Sequence, residues 1–334
     1  MKLLSFAWIF LVLLSCNTGV YQEPVKFTGM AQGTYYAVTY FDNDQRDFQP
    51  QIDSLLDAFD MTASTYKPGS VISKINDNSS DTTNKIFRDI FLTADSISRA
   101  TGGAFDVTVM PLVNAWGFGY QDPEKLDKNQ VDSVLKYVGY EKVRLEDKKI
   151  RKDFPEVKID FNSIAQGYSV DLIGRFLEDN DISNFLVDVG GEVLAKGKKP
   201  GKGLWKVGIE KPAEEKSSPR SIKAVVSPKN RALATSGTYR KYYERDGVRY
   251  SHTIDPKTGY PVAHTLLSVS VMASNVMVAD AYATAFMVMG LEEAKAFLKK
   301  NDTLEGYFIY SNKDGKLRTF ATPGMRRFID TEEI

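Results

Sequence analysis

Residues 34–41 form a mostly apolar run rich in tyrosine, valine and threonine, which predicts a first strand. Ile52, Leu55, Leu56 and Phe59 then recur at helical spacing, and so do Ile86, Ile90, Ala94 and Ile97. Two helices are therefore expected before the glycine pair Gly102-Gly103, with a turn at 64–70 between them. A third helix is predicted at 127–138, with Asp127 as its N-cap and Val131, Val134, Leu135 and Val138 on one face. Strands at 143–145 and 157–161 lead into a helix bearing Ile164, Tyr168, Leu172 and Phe176. Short strands are expected at 185–189, 205–210, 222–226, 232–235, 239–244, 248–254, 266–272 and 306–310, with helices at 278–289 and near 292–300. This mixture predicts a mixed α/β or α+β fold rather than a regular Rossmann series. Neither a G-x-G-x-x-G fingerprint nor a P-loop is present, which argues against dinucleotide dehydrogenases and ordinary nucleotide triphosphatases.

The first residues change the picture. Lys2 precedes the apolar run 3–14, which is too short to span a bilayer at roughly 20 residues per crossing. A basic start, a short apolar stretch and a small residue describe an export signal. Leu13-Leu14-Ser15-Cys16 looks like a bacterial lipobox, and Cys16 is the only cysteine in the chain. The expectation is a signal peptide at 1–15, lipidation at Cys16, a tether at 16–26 and one domain at 27–334. Such a protein would be extracytoplasmic, held to a bacterial membrane (on the periplasmic side) and stable without disulfides. Lysine plus arginine equals aspartate plus glutamate, 43 each, so no overall field favours nucleic acid.

Four stretches could carry chemistry. S-H-T-I-D-P-K-T-G at 251–259 holds His252, one of two histidines, beside Asp255 in a turn set by Pro256 and Gly259. G-G-A-F-D-V-T-V-M-P-L-V-N-A-W-G-F-G at 102–119 brackets an apolar core and one carboxylate, Asp106, with glycines. There Phe105, Trp116 and Phe118 either stack on a planar ring or fill a core. At 160–171, D-F-N-S-I-A-Q-G-Y-S-V-D places a helix N-terminus where a phosphate could sit, or where Asn162 or Ser163 is simply the cap. In the apolar helix 278–289, Asp280 and Thr284 share a face at i, i+4. Either Asp280 favours its own helix dipole or a hard cation compensates it.

Together with Gly33-Thr34, S-T-Y at 64–66, D-V-G-G-E at 188–192, A-T-S-G at 234–237 and A-D-A-Y-A-T-A at 279–285, these stretches resemble the ApbE family of flavin transferases. The resemblance runs over about 28–320 and implies an ApbE-like, T-fold-type arrangement of mixed sheets with packed helices. It implies a magnesium-dependent transfer of FMN from FAD to a threonine or serine of an acceptor flavoprotein, with AMP released. By the same resemblance, Tyr66, Ala104, Phe105, Asp106, Asp160, Gln166 and Ile254 would contact FAD. Ser163, Asp280 and Thr284 would hold Mg2+, with the backbone carbonyl of Met277 as a further ligand, and His252 would be the general base. The acceptor is expected to carry an Asp-Gly-x-Ser/Thr-Ala/Ser-Thr-like motif. Gln32 stands where the family often has methionine, and Gln166 where it often has lysine or glutamate. An FAD pyrophosphatase and a non-catalytic FAD-binding lipoprotein are the competing expectations.

Overall fold

The computed structural model describes residues 23–119, 126–212, 219, 221–238, 242–245 and 248–333. Cys16 and the expected signal peptide lie outside the described residues. The first element is a strand that the pattern does not announce, β1 (Val25–Ala31), which begins ahead of the expected boundary at 27. It pairs with β2 (Thr34–Tyr40) through the two-residue turn Gln32-Gly33, both residues having positive φ (53° and 73°). Paired positive φ values match the twist of the flanking strands.

Helix α1 (Gln49–Ala63) buries Ile52, Leu56 and Phe59, as their spacing requires. A short helix, α2 (Val71–Asn76), follows, started by the Ser70 hydroxyl, which accepts the Ser73 N–H. Asn84 caps α3 (Lys85–Ala100) in the same way, and its apolar stripe Phe87, Ile90, Phe91, Ala94 and Ile97 is buried. The glycine-bracketed stretch coils into α4 (Met110–Ala115), and Asp127 caps α5 (Lys128–Leu135) through a reciprocal capping box with Gln130. A hairpin of β3 (Val143–Glu146) and β4 (Lys149–Lys152) comes next.

Residues 157–161 are not the strand the sequence predicts. Val157, Ile159 and Phe161 alternate inward and are fully buried, which is why the segment reads as a strand. Its partner, however, is a side chain. Asn76 accepts the Ile159 N–H (2.7 Å) and donates to the Ile159 carbonyl (2.8 Å), while Asp160 N–H reaches Val107 O (2.7 Å). These bonds satisfy the buried backbone without a ladder.

The chain continues through α6 (Ala165–Asp179), β5 (Phe185–Val189), β6 (Glu192–Lys196), β7 (Val207–Glu210), β8 (Ile222–Val226), β9 (Arg231–Gly237) and the hairpin β10 (Tyr242–Arg245) and β11 (Val248–Ser251). β11 ends at Ser251, so His252 and Ile254 lie beyond the strand expected to include them. β12 (Leu266–Ala273), α7 (Val276–Leu298), β13 (Glu305–Ser311), β14 (Leu317–Ala321), α8 (Pro323–Arg326) and β15 (Ile329–Glu332) complete the order. The two helices expected near 278–300 are one element, broken at Gly290, whose φ of 75° and ψ of 176° are not helical. The second histidine belongs to this break: His264 Nε2 lies 2.7 Å from the Met287 carbonyl.

The main sheet is antiparallel throughout, in the order β1-β2-β5-β6-β9-β12-β13-β14. On one face Val269 and Val271 join α6 and α7 in the larger core; on the other, Met272 and Leu233 meet the small sheet β15-β8-β7. Burial on both faces explains why β12 is nearly all apolar. The expected α+β mixture of sheets and packed helices is what the chain forms.

The crossing of α6 and α7 positions the site. Asp171 on α6 accepts the N–H groups of Val276 and Met277 (2.8 and 2.9 Å), and Asp280 on α7 accepts the N–H of Gly167 (3.0 Å). Each helix thus places a carboxylate on the other's first turn, where unpaired N–H groups and the dipole favour it. Gly167 makes the approach possible, since a Cβ there would lie 2.6 Å from Val276 O and 2.8 Å from Met277 Cα. Gly167→Ala must push backbone apart, and the expected loss is on the order of 3 kcal/mol. A urea titration checks this, and an unchanged midpoint would mean the helices separate freely.

Candidate active site

A cleft of about 1570 Å³ opens between the β1–β2 turn, the N-terminal ends of α6 and α7, the glycine-bracketed stretch and the His252 turn. Tyr66, Ala104, Phe105, Asp106, Asp160, Ser163, Gln166, His252, Ile254, Asp280 and Thr284 all line it. Met277 does not. Its N–H is held by Asp171.

One hydrogen bond joins the two most distinctive stretches. Trp116 Nε1 donates to the Gly259 carbonyl at 2.8 Å, fixing the 102–119 segment against the His252 turn. Ile254, only 4% exposed, packs beside Trp116 with Leu112, Val131 and Val138. Asp255 shapes the bend: its carboxylate accepts Lys257 N–H (2.9 Å) and Thr258 Oγ1 (3.0 Å), and its carbonyl accepts Gly259 N–H (2.8 Å). His252 is left partly exposed in the cleft wall, its ring edge-on to Phe118 at 6.4 Å between centroids. The three aromatics therefore divide. Trp116 is core, Phe118 belongs to the wall, and Phe105 is buried in the core while also lining the cleft.

Asp106 is both wall and structural staple. One oxygen accepts Thr108 N–H (2.8 Å) and Thr108 Oγ1 (2.7 Å), and the other accepts Tyr140 N–H (2.7 Å). Burial pushes its carboxyl up to about 6 despite these three donors. The sign follows directly. The folded form keeps its proton above the ordinary carboxyl value, so this contribution to stability is complete below about pH 4 and is lost as pH rises through about 6. The loss is on the order of 3 kcal/mol. Urea titrations of wild type and Asp106→Asn at pH 4 and 7 should show wild type losing ground to the variant as pH rises; a pH-independent difference would contradict the assignment.

At 160–171 neither Asn162 nor Ser163 caps the helix. The N-cap is Ile164, without a side-chain bond, and Asn162 instead donates its N–H (2.8 Å) and Nδ2 (3.2 Å) to Asp160. Burial holds the Asp160 carboxyl above its ordinary range. The acceptor for the α6 N-terminus comes from α7, as Asp280. That carboxylate is 7% exposed, and burial, opposed by the Gly167 N–H and reinforced by the Asp171 charge, pushes it up to about 7. Its remaining oxygen has no protein donor among the described residues. Thr284, one turn on, meets Ser236 Oγ at 3.2 Å. The expected favour of Asp280 for its own dipole is thus replaced by service to the neighbouring helix.

Among the described residues no group of three His, Cys, Asp or Glu side chains could enclose a metal. The donor set is one carboxylate with hydroxyls. That suits magnesium, which takes one or two carboxylates and completes its shell with substrate phosphates and water. A buried carboxylate with an unmatched oxygen is the observation that fits such an ion.

A family model described as "ApbE family" matches residues 32–308. The chain belongs to the ApbE family. The FAD:protein FMN transferase of Vibrio cholerae is 34% identical over 328 residues, covering 96% of each chain. That of Escherichia coli K12 is 35% identical over 326 residues, covering 93% of this chain and 91% of the relative. Among solved structures, the flavin transferase ApbE of V. cholerae superposes with a TM-score of 0.82 at 32% identity, covering 92% of this chain and 99% of the other.

Some ApbE wall residues have no distinctive sequence signal. Asp60 and Lys67 line the cleft 3.7 Å apart, but on paper they are a polar helix face and a turn. Ser236 sits in the A-T-S-G stretch, whose residues have no role until the fold brings that hydroxyl to Thr284. Lys206, Val207, Gly208 and Glu210 reach the cleft because the small sheet packs on the large one, with Ile209 turned into the core between them.

Proposed function

We propose that this chain transfers FMN from FAD onto the hydroxyl of a threonine or serine in an acceptor flavoprotein, releasing AMP, with Mg2+ as cofactor. The observation that carries the reading is one cleft holding both His252 and the buried, half-paired carboxylate of Asp280. Family membership supports it. The volume also fits, because single small ligands occupy roughly 300–1,000 Å³ and this cleft leaves room for an acceptor segment beside FAD.

Asp280, Thr284 and Ser163 would hold magnesium. When bound, such an ion neutralises charge on phosphate oxygens during phosphoryl-type transfer. His252 takes the proton of the acceptor hydroxyl as that oxygen bonds to the FMN phosphorus and the bond to the AMP oxygen breaks. Imidazole suits this task because it ordinarily exchanges protons near neutrality. Ile254 and the wall 104–106 orient FAD, and Asp255 keeps the histidine's turn in shape. Lipidation at Cys16 would hold the enzyme at the outer face of a membrane beside membrane-bound acceptors. No described helix is long and apolar enough to cross a membrane.

Following AMP after mixing the protein with FAD and Mg2+, with and without acceptor, tests the reading. Transfer predicts AMP release that requires the acceptor. Acceptor-independent AMP with free FMN would mark a pyrophosphatase, and the absence of AMP would leave only binding.

A further inference from the structure

Gln32 is held in a way the fold does not need. It occupies the first position of the β1–β2 turn with φ of 53°, a left-handed conformation that glycine or asparagine takes more readily. Its carboxamide oxygen and nitrogen are both closed off from solvent, and neither has a hydrogen-bond partner among the described residues. Buried amides without partners are rare, because each forfeits its bonds to water for nothing in return. The residue nevertheless lines the cleft. Gly33 and Thr34 follow it, and Thr34 and the Gln166 amide close around Gly190, so the turn faces polar neighbours in the same wall.

We propose that the Gln32 carboxamide reads a heteroaromatic edge of bound FAD on which a donor lies next to an acceptor. The inference rests on the flavin reading above and adds a specificity residue to it. A primary amide offers one acceptor and a two-proton donor in one plane, which complements such an edge. Methionine at this position would supply contact without any donor or good acceptor, so the amide gives this chain a polar reading of its substrate. Both halves of FAD carry a suitable edge: the imide of the isoalloxazine and the amino-pyrimidine of adenine. Strain at a ligand-facing turn is a familiar cost of placing a recognition group.

The test compares wild type, Gln32→Met and Gln32→Gly in equilibrium binding of FAD, FMN and AMP, together with thermal midpoints without ligand. Gln32→Met keeps a side chain of similar length and backbone demand. It should weaken FAD by about tenfold and weaken one of FMN or AMP by the same factor, which names the edge. Gln32→Gly relieves the turn and removes the unpaired amide, so its midpoint without ligand should rise while FAD binding falls. Variants that bind all three ligands like wild type would overturn the proposal, as would equal losses for FMN and AMP. A lower midpoint for Gln32→Gly would assign the residue a structural role and overturn it too. Wild-type protein that fails to bind FAD would instead overturn the flavin reading itself.

Discussion

His252→Ala is expected to lose about 10²–10⁴-fold of FMN transfer while its FAD affinity stays within a few-fold of wild type. The asymmetry comes from the geometry. His252 is partly exposed at the cleft wall, whereas the ligand-facing parts of its turn are held by other groups. Asp255 closes the bend through Lys257, Thr258 and Gly259, and Trp116 fixes the Gly259 carbonyl. Removing the imidazole therefore leaves Ile254 and the turn in place. Steady-state transfer and an independent FAD titration separate the two effects. Unchanged turnover would remove His252 as the base, and an equal loss of affinity would make it a binding residue.

Asp280→Asn should abolish the magnesium-dependent rate, by about 10³-fold, without unfolding the protein. Asparagine can still accept the Gly167 N–H that Asp280 accepts now, so the helix crossing survives. What disappears is the charge. Because burial pushes this carboxyl up to about 7, the ionised form is unfavourable in the protein without its cation. The sign follows: the raised value contributes stability at low pH that is lost as pH rises through about 7, and the variant lacks this loss. At pH 8 the metal-free variant should melt no lower than wild type, while its response to added Mg2+ vanishes. A variant that stays fully active in chelator would refute the metal assignment; one that melts far below wild type would make Asp280 a structural residue.

Much of this architecture is legible in the sequence because it is written in local periodicity. The stripes of α1, α3 and α5, the capping aspartate at 127 and the strands at 185–189, 222–226 and 266–272 depend on near neighbours. Failures occur where a distant group intervenes. Residues 157–161 alternate like a strand, but Asn76 takes their backbone bonds. Asn162 and Ser163 sit where a cap belongs, yet the carboxylate for that helix end comes from Asp280 on α7. The site shows the same division. His252, Ile254 and Thr284 stand out in compact stretches, and the fold brings them to one cleft. The reciprocal exchange of Asp171 and Asp280 depends on two helices crossing at Gly167, and no window of sequence contains that crossing.

The most direct test is the intact mass of a candidate acceptor after incubation with this enzyme, FAD and Mg2+. The acceptor should gain the mass of one FMN, with one AMP released per modification, and the gain should disappear when its target threonine or serine is replaced by valine or alanine. An unmodified acceptor accompanied by free FMN and AMP would contradict transfer and leave hydrolysis as the activity of the cleft.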